Sequence, residues 1–258
     1  MNRFFWVASA AALAATLAAT GGCVAVSSET TTRTYDIADF DSVSARSGVN
    51  VVLKQGAFDV TAAGPKHRVD KLLIERQGSM LVISREPDST WFGWSDPDLV
   101  TVVAPRYASI EASGGADVDM EPLRQDALSI RAGGGADVNA GGLTLDSLTI
   151  TASGGADVNA RRVALATLTA SASGGADIDL SGECKTLTAE TSGGADFRGA
   201  ELRCESATVT ASGGGDAEAT ATAFASGRAS SGGDIRFHGN PAQFEKEESA
   251  GGDVTSGL

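Results

Sequence analysis

The sequence predicts an all-β chain wound as a single-stranded parallel β-helix, a β-solenoid of about 20-residue coils, with an N-terminal, partly antiparallel β region capping its first edge. Three observations carry that expectation. Ser-Gly-Gly-Ala-Asp-Val recurs at Ser113 to Val118, at Ser153 to Val158 and, ending in Ile, at Ser173 to Ile178, and variants continue to the C-terminus. Marked by the aspartate, the copies stand at Asp117, Asp137, Asp157, Asp177, Asp196, Asp216, Asp234 and Asp253, separated by 20, 20, 20, 19, 20, 18 and 19 residues. So steady a period means one supersecondary unit stacked on the next. Between the markers apolar and polar residues alternate, as in Leu148-Thr149-Ile150-Thr151-Ala152, which is strand periodicity. Composition agrees: of 258 residues 42% are hydrophobic, only 5% are aromatic and 32 are glycine. Side chains that small fill a core only where backbones already lie close together.

Taken in order, residues 1–22 read as a signal peptide, with Arg3, an apolar run from Phe4 to Ala19 and small residues before Cys23. The run is shorter than a membrane span requires. Gly21-Gly22-Cys23 resembles a bacterial lipobox, with Thr20 where that motif usually carries an aliphatic residue. The resemblance implies lipidation of Cys23 and a membrane partner reached through the lipid anchor; ordinary secretion with a free Cys23 is the alternative. Val24 rather than Asp follows the cysteine, as in lipoproteins sorted to an outer membrane. Residues 23–34, rich in Ser and Thr, read as a tether. Residues 35–105 hold alternating runs at Val49 to Leu53, Phe58 to Ala62, Val69 to Glu75, Leu81 to Ser84 and Val100 to Ala104, punctuated by Gln55-Gly56 and Gln77-Gly78. They form the N-terminal β region, and residues 106–258 form the repeats of the same 35–258 domain. A weaker early copy of the repeat is Ser47-Gly48-Val49-Asn50-Val51.

Within each coil, apolar residues recur five, seven and nine positions before the aspartate, and again at twelve and fourteen: Ala152, Ile150 and Leu148, then Leu145 and Leu143. These face inward, and Asp157 and Asn159 face outward. Gly-Gly supplies the corner, and the aspartate can bond nearby amides there. Stacking the coils puts the aspartates ~5 Å apart, close enough to repel. Divalent cations, calcium foremost, would offset that repulsion by bridging Asp117, Asp119, Asp137, Asp157, Asp177 and Asp179. The competing account is that each aspartate holds its own turn in water, with Arg131, Arg161, Arg162 and Arg198 lowering the local charge. No cofactor is required on either account.

Cys184 and Cys204 both precede their coil's aspartate by twelve residues, which stacks them within disulfide reach. The alternative is a pair of reduced core thiols, because Leu145 and Leu165 hold that position in earlier coils. Trp91, Phe92 and Trp94, in Pro87 to Pro97, form an aromatic cluster suited either to binding a partner or to folding over the open end of the core. Outward Thr149, Thr151, Thr169, Thr188, Thr208 and Thr210 make a second column, the ordinary solvent-facing choice of a strand. His67 and His238 stand alone, and no Ser-His-Asp, phosphate-binding or zinc pattern is recognisable.

Residues 35–258 resemble the GIN domain, the head domain ascribed to auto-transporter adhesins. The resemblance rests on Phe40-Asp41-Ser42-Val43, Gly48 to Leu53, Val100 to Pro105, the Ser-Gly-x-x-Asp-Val series, Phe237 to Pro241 and Gly251 to Val254. The family commonly has Ser-Gly-Ser-Gly-Asp where this chain has Ser-Gly-Gly-Ala-Asp, which keeps the turn but removes a hydroxyl. The resemblance implies an exported bacterial β-solenoid with an adhesive role and brings no catalytic residue.

With 20 Lys+Arg against 33 Asp+Glu, a net charge of −13, the chain repels phosphate backbones, which excludes nucleic acid as a partner. The expected function is non-enzymatic: a cell-envelope or surface lipoprotein, exported and held at the outer membrane, that binds a glycan or a surface protein. The alternatives are a periplasmic structural or signalling partner and a polysaccharide-acting β-helix enzyme, whose cleft would need long loops that these short turns do not supply.

Overall fold

The computed structural model describes residues 29–86 and 98–257. The chain enters through β1 (Thr30–Tyr35), β2 (Ser42–Arg46), β3 (Asn50–Gln55), β4 (Asp59–Pro65), the short helix α1 (Lys66–Val69), β5 (Leu72–Gln77), β6 (Met80–Arg85) and β7 (Leu99–Ala104). The repeats follow as β8 (Ser109–Ser113), β9 (Asp117–Met120), β10 (Leu123–Gly133), β11 (Asp137–Gly141), β12 (Leu143–Gly154), β13 (Asp157–Gly174), β14 (Asp177–Gly193) and β15 (Asp196–Ser212). The last coils are β16 (Asp216–Ser230), β17 (Asp234–His238), β18 (Gln243–Ser249) and β19 (Asp253–Ser256).

Every pairing in the repeats is parallel and joins equivalent residues of successive coils. Leu128 stands on Leu148, Leu168 and Leu187, and Ile130 on Ile150, Ala170 and Ala189. These columns are buried, and together with Ala156, Val158 and their equivalents they form one continuous core. The architecture is the β-solenoid that the period predicts. Each coil must bury its apolar face on its neighbours, since no single coil can do so alone.

The corners explain the glycines. A Cβ on Gly174, at φ +78, would come within 3.2 Å of the Gly154 backbone one coil earlier, so glycine stacks on glycine. The aspartate's part in the corner is played by its backbone: the N–H of Asp157 donates to the Ala136 carbonyl at 3.0 Å, and that of Asp177 to Ala156 at 3.1 Å.

Coil length is adjusted at corners too. The pairing shifts between Asp179 and Gly182 and again between Gly199 and Arg203, which absorbs the coils of 19 and 18 residues without disturbing the inward columns.

At the N-terminal end, space and sequence part company. The weak copy around Asn50 is the true first coil: β2 pairs with β8 and β3 with β9, so Asn50 stands opposite Asp117. The intervening chain is laid on the outer edge of that coil, β6 parallel to β2 and β7 parallel to β3. Antiparallel strands then close the end, β5 on β6, β4 on β7 and β1 on β4. The segment read as a tether, 23–34, is therefore strand from Thr30 onward, held by pairing with β4 although its side chains are mostly exposed. Val69, read as the start of a strand, instead ends α1 and is fully buried; the strand begins at Leu72. Tyr107 locks the cap to the repeats. It is 1% exposed, its hydroxyl lies 2.8 Å from the Lys54 carbonyl and 2.9 Å from that of Val102, and burial pushes its pKa far above the ordinary phenol value. Among the described residues no helix is long and apolar enough to cross a membrane.

Candidate functional site

Three faces leave the core, and the sequence singles out one of them by its carboxylates. Asp117, Asp137, Asp157, Asp177 and Asp196 stand in register on β9, β11 and β13 to β15, and Asp216, Asp234 and Asp253 continue the column. The column beside it reads Asp119, Asn139, Asn159, Asp179, Arg198, Glu218 and Arg236. Its two halves differ in charge balance. Arg198 bridges Asp177 at 3.0 Å and Asp196 at 2.6 Å, and Arg236 approaches Glu218. The earlier half has amides instead, with Asn139 donating to Asp119 at 3.2 Å. Partial burial, then the charges of Asp137 and Asp119, hold the Asp117 carboxyl above the usual carboxylate range. Asp157 is raised in the same way by burial, Asp137 and Asp177, while Arg198 pulls it back. The six aspartates singled out as calcium ligands thus lie on one face. Among the described residues no three His, Cys, Asp or Glu side chains converge as a metal-binding group. Of the arginines expected to lower this charge, Arg131 lies on another face and donates to Ser109 and Ser129.

Cys184 and Cys204 are joined as a disulfide, with Cα atoms 4.4 Å apart. They continue the inward column Leu145–Leu165, and both are nearly fully buried. The bond staples two coils between the register shifts at Gly182 and Gly199.

A broad concavity lies over this column. The run Val163-Ala164-Leu165-Ala166-Thr167 places alanine at two successive outward positions, whereas Thr144 and Glu183 flank Ala164 on the neighbouring coils. Larger side chains on both sides of the two alanines make a groove of about 710 Å³, floored by Leu145, Leu165 and Cys184. Its rim carries Arg124 and Lys185 among the carboxylates Asp126, Asp146, Glu183 and Glu205, so both signs are present and the acidic one prevails. Alternation alone does not reveal it. The signal is outward alanine where the period calls for a polar residue.

The third face is the serine and threonine column. Thr149, Thr169, Thr188 and Thr208 stand in register, and so do Thr151, Ser171, Glu190 and Thr210. The acidic break at Glu190 interrupts it. His238 lies 3.8 Å from Glu218, and His67 is exposed on α1. Cys23 and the partner-binding candidates Trp91, Phe92 and Trp94 lie outside the described residues.

The comparisons agree with this geometry. A model of the family described as "Putative auto-transporter adhesin, head GIN domain" matches residues 39–241. The chain belongs to this family. The crystal structure of a "putative adhesin" from Parabacteroides distasonis is similar with a TM-score of 0.80 at 20% identity, over 90% of this chain and 98% of that one. A "putative adhesin" from Parabacteroides merdae gives 0.79 at 17%, over 90% and 98%. A "Putative lipid binding protein" from Parabacteroides distasonis gives 0.71 at 16%, over 89% and 98%. At such identities the likeness is one of fold. No curated protein matches the chain. As a member of the GIN family, the protein shares with these neighbours a fold that covers most of each chain compared.

Proposed function

We propose that this protein is a non-enzymatic binding module of the bacterial cell envelope, exported and anchored through Cys23, that holds an extended, uncharged polymer such as a neutral glycan along the groove over Leu145 and Leu165. The observation that carries this reading is the notch at Ala164 and Ala166. A groove crossing successive coils repeats at the strand spacing of ~4.8 Å, which is close to the length of one sugar unit in a linear chain. The rim offers carboxylates, an ammonium and a guanidinium for hydroxyl groups, and its acidic excess disfavours a polyanion. A solenoid also keeps its groove rigid while outward residues vary, which suits recognition of a repeating ligand.

The test is a glycan array probed with the purified domain, with Ala164→Trp and Ala166→Trp filling the groove. Binding lost in these variants, with the melting temperature unchanged, supports the reading. Binding retained in both, or lost instead in Trp91→Ala with Trp94→Ala, moves the contact elsewhere. Intact mass and protease shaving of cells, comparing the native protein with Cys23→Ala, test the anchor. An acyl mass addition and surface cleavage support an adhesin, whereas an unmodified, protected protein supports a periplasmic role.

A further inference from the structure

The last coil places charges where the earlier coils place none. In β16 the inward positions are Ala225, Gly227 and Ala229, all buried. Register places Phe244, Lys246 and Glu248 of β18 directly on them. Two inward positions at the C-terminal end therefore carry opposite charges, five and seven residues before Asp253, where earlier coils have Ala152 and Ile150.

The two side chains do not turn away from the core. Lys246 Nζ lies 2.8 Å from Glu248 Oε1, which also accepts the Val254 N–H at 2.9 Å, while Lys246 Nζ donates to the Val254 carbonyl at 3.4 Å. Val254 belongs to β19 on a different wall, so the pair spans the open end of the solenoid from one wall to the other. Beneath it lie the Val254 side chain, 1% exposed, and the fully buried Phe237, on whose ring Phe244 packs edge-on at 5.9 Å. Gly227 makes room for them, since a Cβ there would sit 2.6 Å from Val254 and 2.9 Å from Phe237. Mutual hydrogen bonding raises the Lys246 pKa and lowers that of Glu248, as expected of an ion pair that stays formed.

We infer that the Lys246–Glu248 bridge is a guard that stops a second copy of this chain from stacking on the C-terminal coil. Among the described residues β18 pairs only with β16 and β19 only with β17, which leaves two in-register edges unpaired, a template for further strands. At the N-terminal end the outermost strands β1 and β5 are set antiparallel to their partners, beside α1, so that end does not continue the parallel register of β18 and β19. The surface complementary to the C-terminal edge is the same edge of another copy, related by a two-fold axis. Covering the bridge in that way would strip water from both charges without giving them new partners, which disfavours the contact.

The test is self-association of the full domain followed by light scattering. Wild type is expected to be monomeric across the micromolar range. Lys246→Val with Glu248→Ala, which restores the apolar pattern of earlier coils, is expected to form dimers at least about tenfold more tightly, with new hydrogen-exchange protection in β18. Lys246→Met with Glu248→Gln removes both charges while keeping the shape and the acceptor for Val254, and covers the case in which the first variant fails to fold. It too is expected to dimerise. A wild type that already dimerises through β18, or neutral variants that fold and stay monomeric, would overturn the inference.

Discussion

Asn50 stands directly opposite Asp117, so the acidic column starts on an uncharged amide and meets its first like-charge contact between Asp117 and Asp137. Charge compensation arrives only with Arg198, which holds Asp177 and Asp196. Two rungs that Arg198 does not bridge, Asp117 and Asp157, have raised carboxyls, through partial burial first and their aspartate neighbours next.

A raised folded-state pKa has a definite sign in stability. Between the unfolded and the folded value the native protein binds more protons, so this contribution to stability grows as pH falls. Asp157→Asn is expected to raise the melting temperature at pH 7 by about 1–2 °C, and the gain should shrink through the folded pKa and vanish below about pH 4. Added salt should shrink it as well. Melts at three pH values and two ionic strengths check this; a gain independent of both would mean the carboxylates do not repel.

The disulfide should matter more than its place in a column of leucines suggests. Closing a loop of 20 residues removes about 3 kcal/mol of chain entropy from the unfolded state. Cys184→Ala with Cys204→Ala should therefore lower the melting temperature by several degrees, and a reductant should do the same to wild type but not to the variant. Leucine at both positions should recover part of the loss by refilling the column of Leu145 and Leu165. Equal melting of oxidised and reduced wild type would contradict the staple.

What could be read from the sequence was whatever repeats locally. The aspartate column, the inward leucines, the corner glycines and the stacked cysteines all follow from one period and one alternation. β1 was hidden because Thr30 to Tyr35 lacks apolar alternation and is fixed by its partner β4 rather than by its own face. The cap was hidden because β6 and β7 stack on the outside of β2 and β3, an order in space that local pattern does not encode. The groove and the terminal bridge, by contrast, were present as exceptions. Ala164 and Ala166 break the outward pattern, and Lys246 and Glu248 break the inward one, so the informative residues are those where the count succeeds and the residue type does not.

Thr191 is another such exception. Its column is alanine before and after, at Ala152, Ala172, Ala211 and Ala229, yet Thr191 is 2% exposed and its hydroxyl has no hydrogen-bond partner. A buried hydroxyl left unpaired costs about 1–3 kcal/mol. Thr191→Val keeps the volume and removes that cost, so its melting temperature should rise by about 2–4 °C. Thr191→Ser keeps the hydroxyl and should not rise. A valine variant less stable than wild type would point to a buried water that satisfies the hydroxyl.

The last prediction concerns the N-terminal end, where the one fully buried carboxylate among the described residues sits. Asp98 is 0% exposed and opens onto β7. One of its oxygens accepts from Arg68 Nε at 2.9 Å and from Arg85 Nη2 at 2.6 Å; the other accepts from Arg85 Nη2 at 2.7 Å. Asn50 of the first coil donates to its backbone carbonyl at 3.2 Å, so a single residue ties the cap to the start of the ladder. Removing the carboxylate would leave the guanidinium of Arg85, 9% exposed, without its counter-ion in a place water reaches poorly. Asp98→Ala should therefore cost about 3–5 kcal/mol. Asp98→Leu with Arg85→Met removes the more deeply buried pair, leaving Arg68 at the edge, and should recover part of that loss. The exposed bridges of Asp70 to Arg33 and Lys66 on the same cap provide the control, since Asp70→Ala should barely move the melting temperature. If Asp98→Ala melts with wild type, the network does not hold the cap, and Val69 and Tyr107 hold it alone.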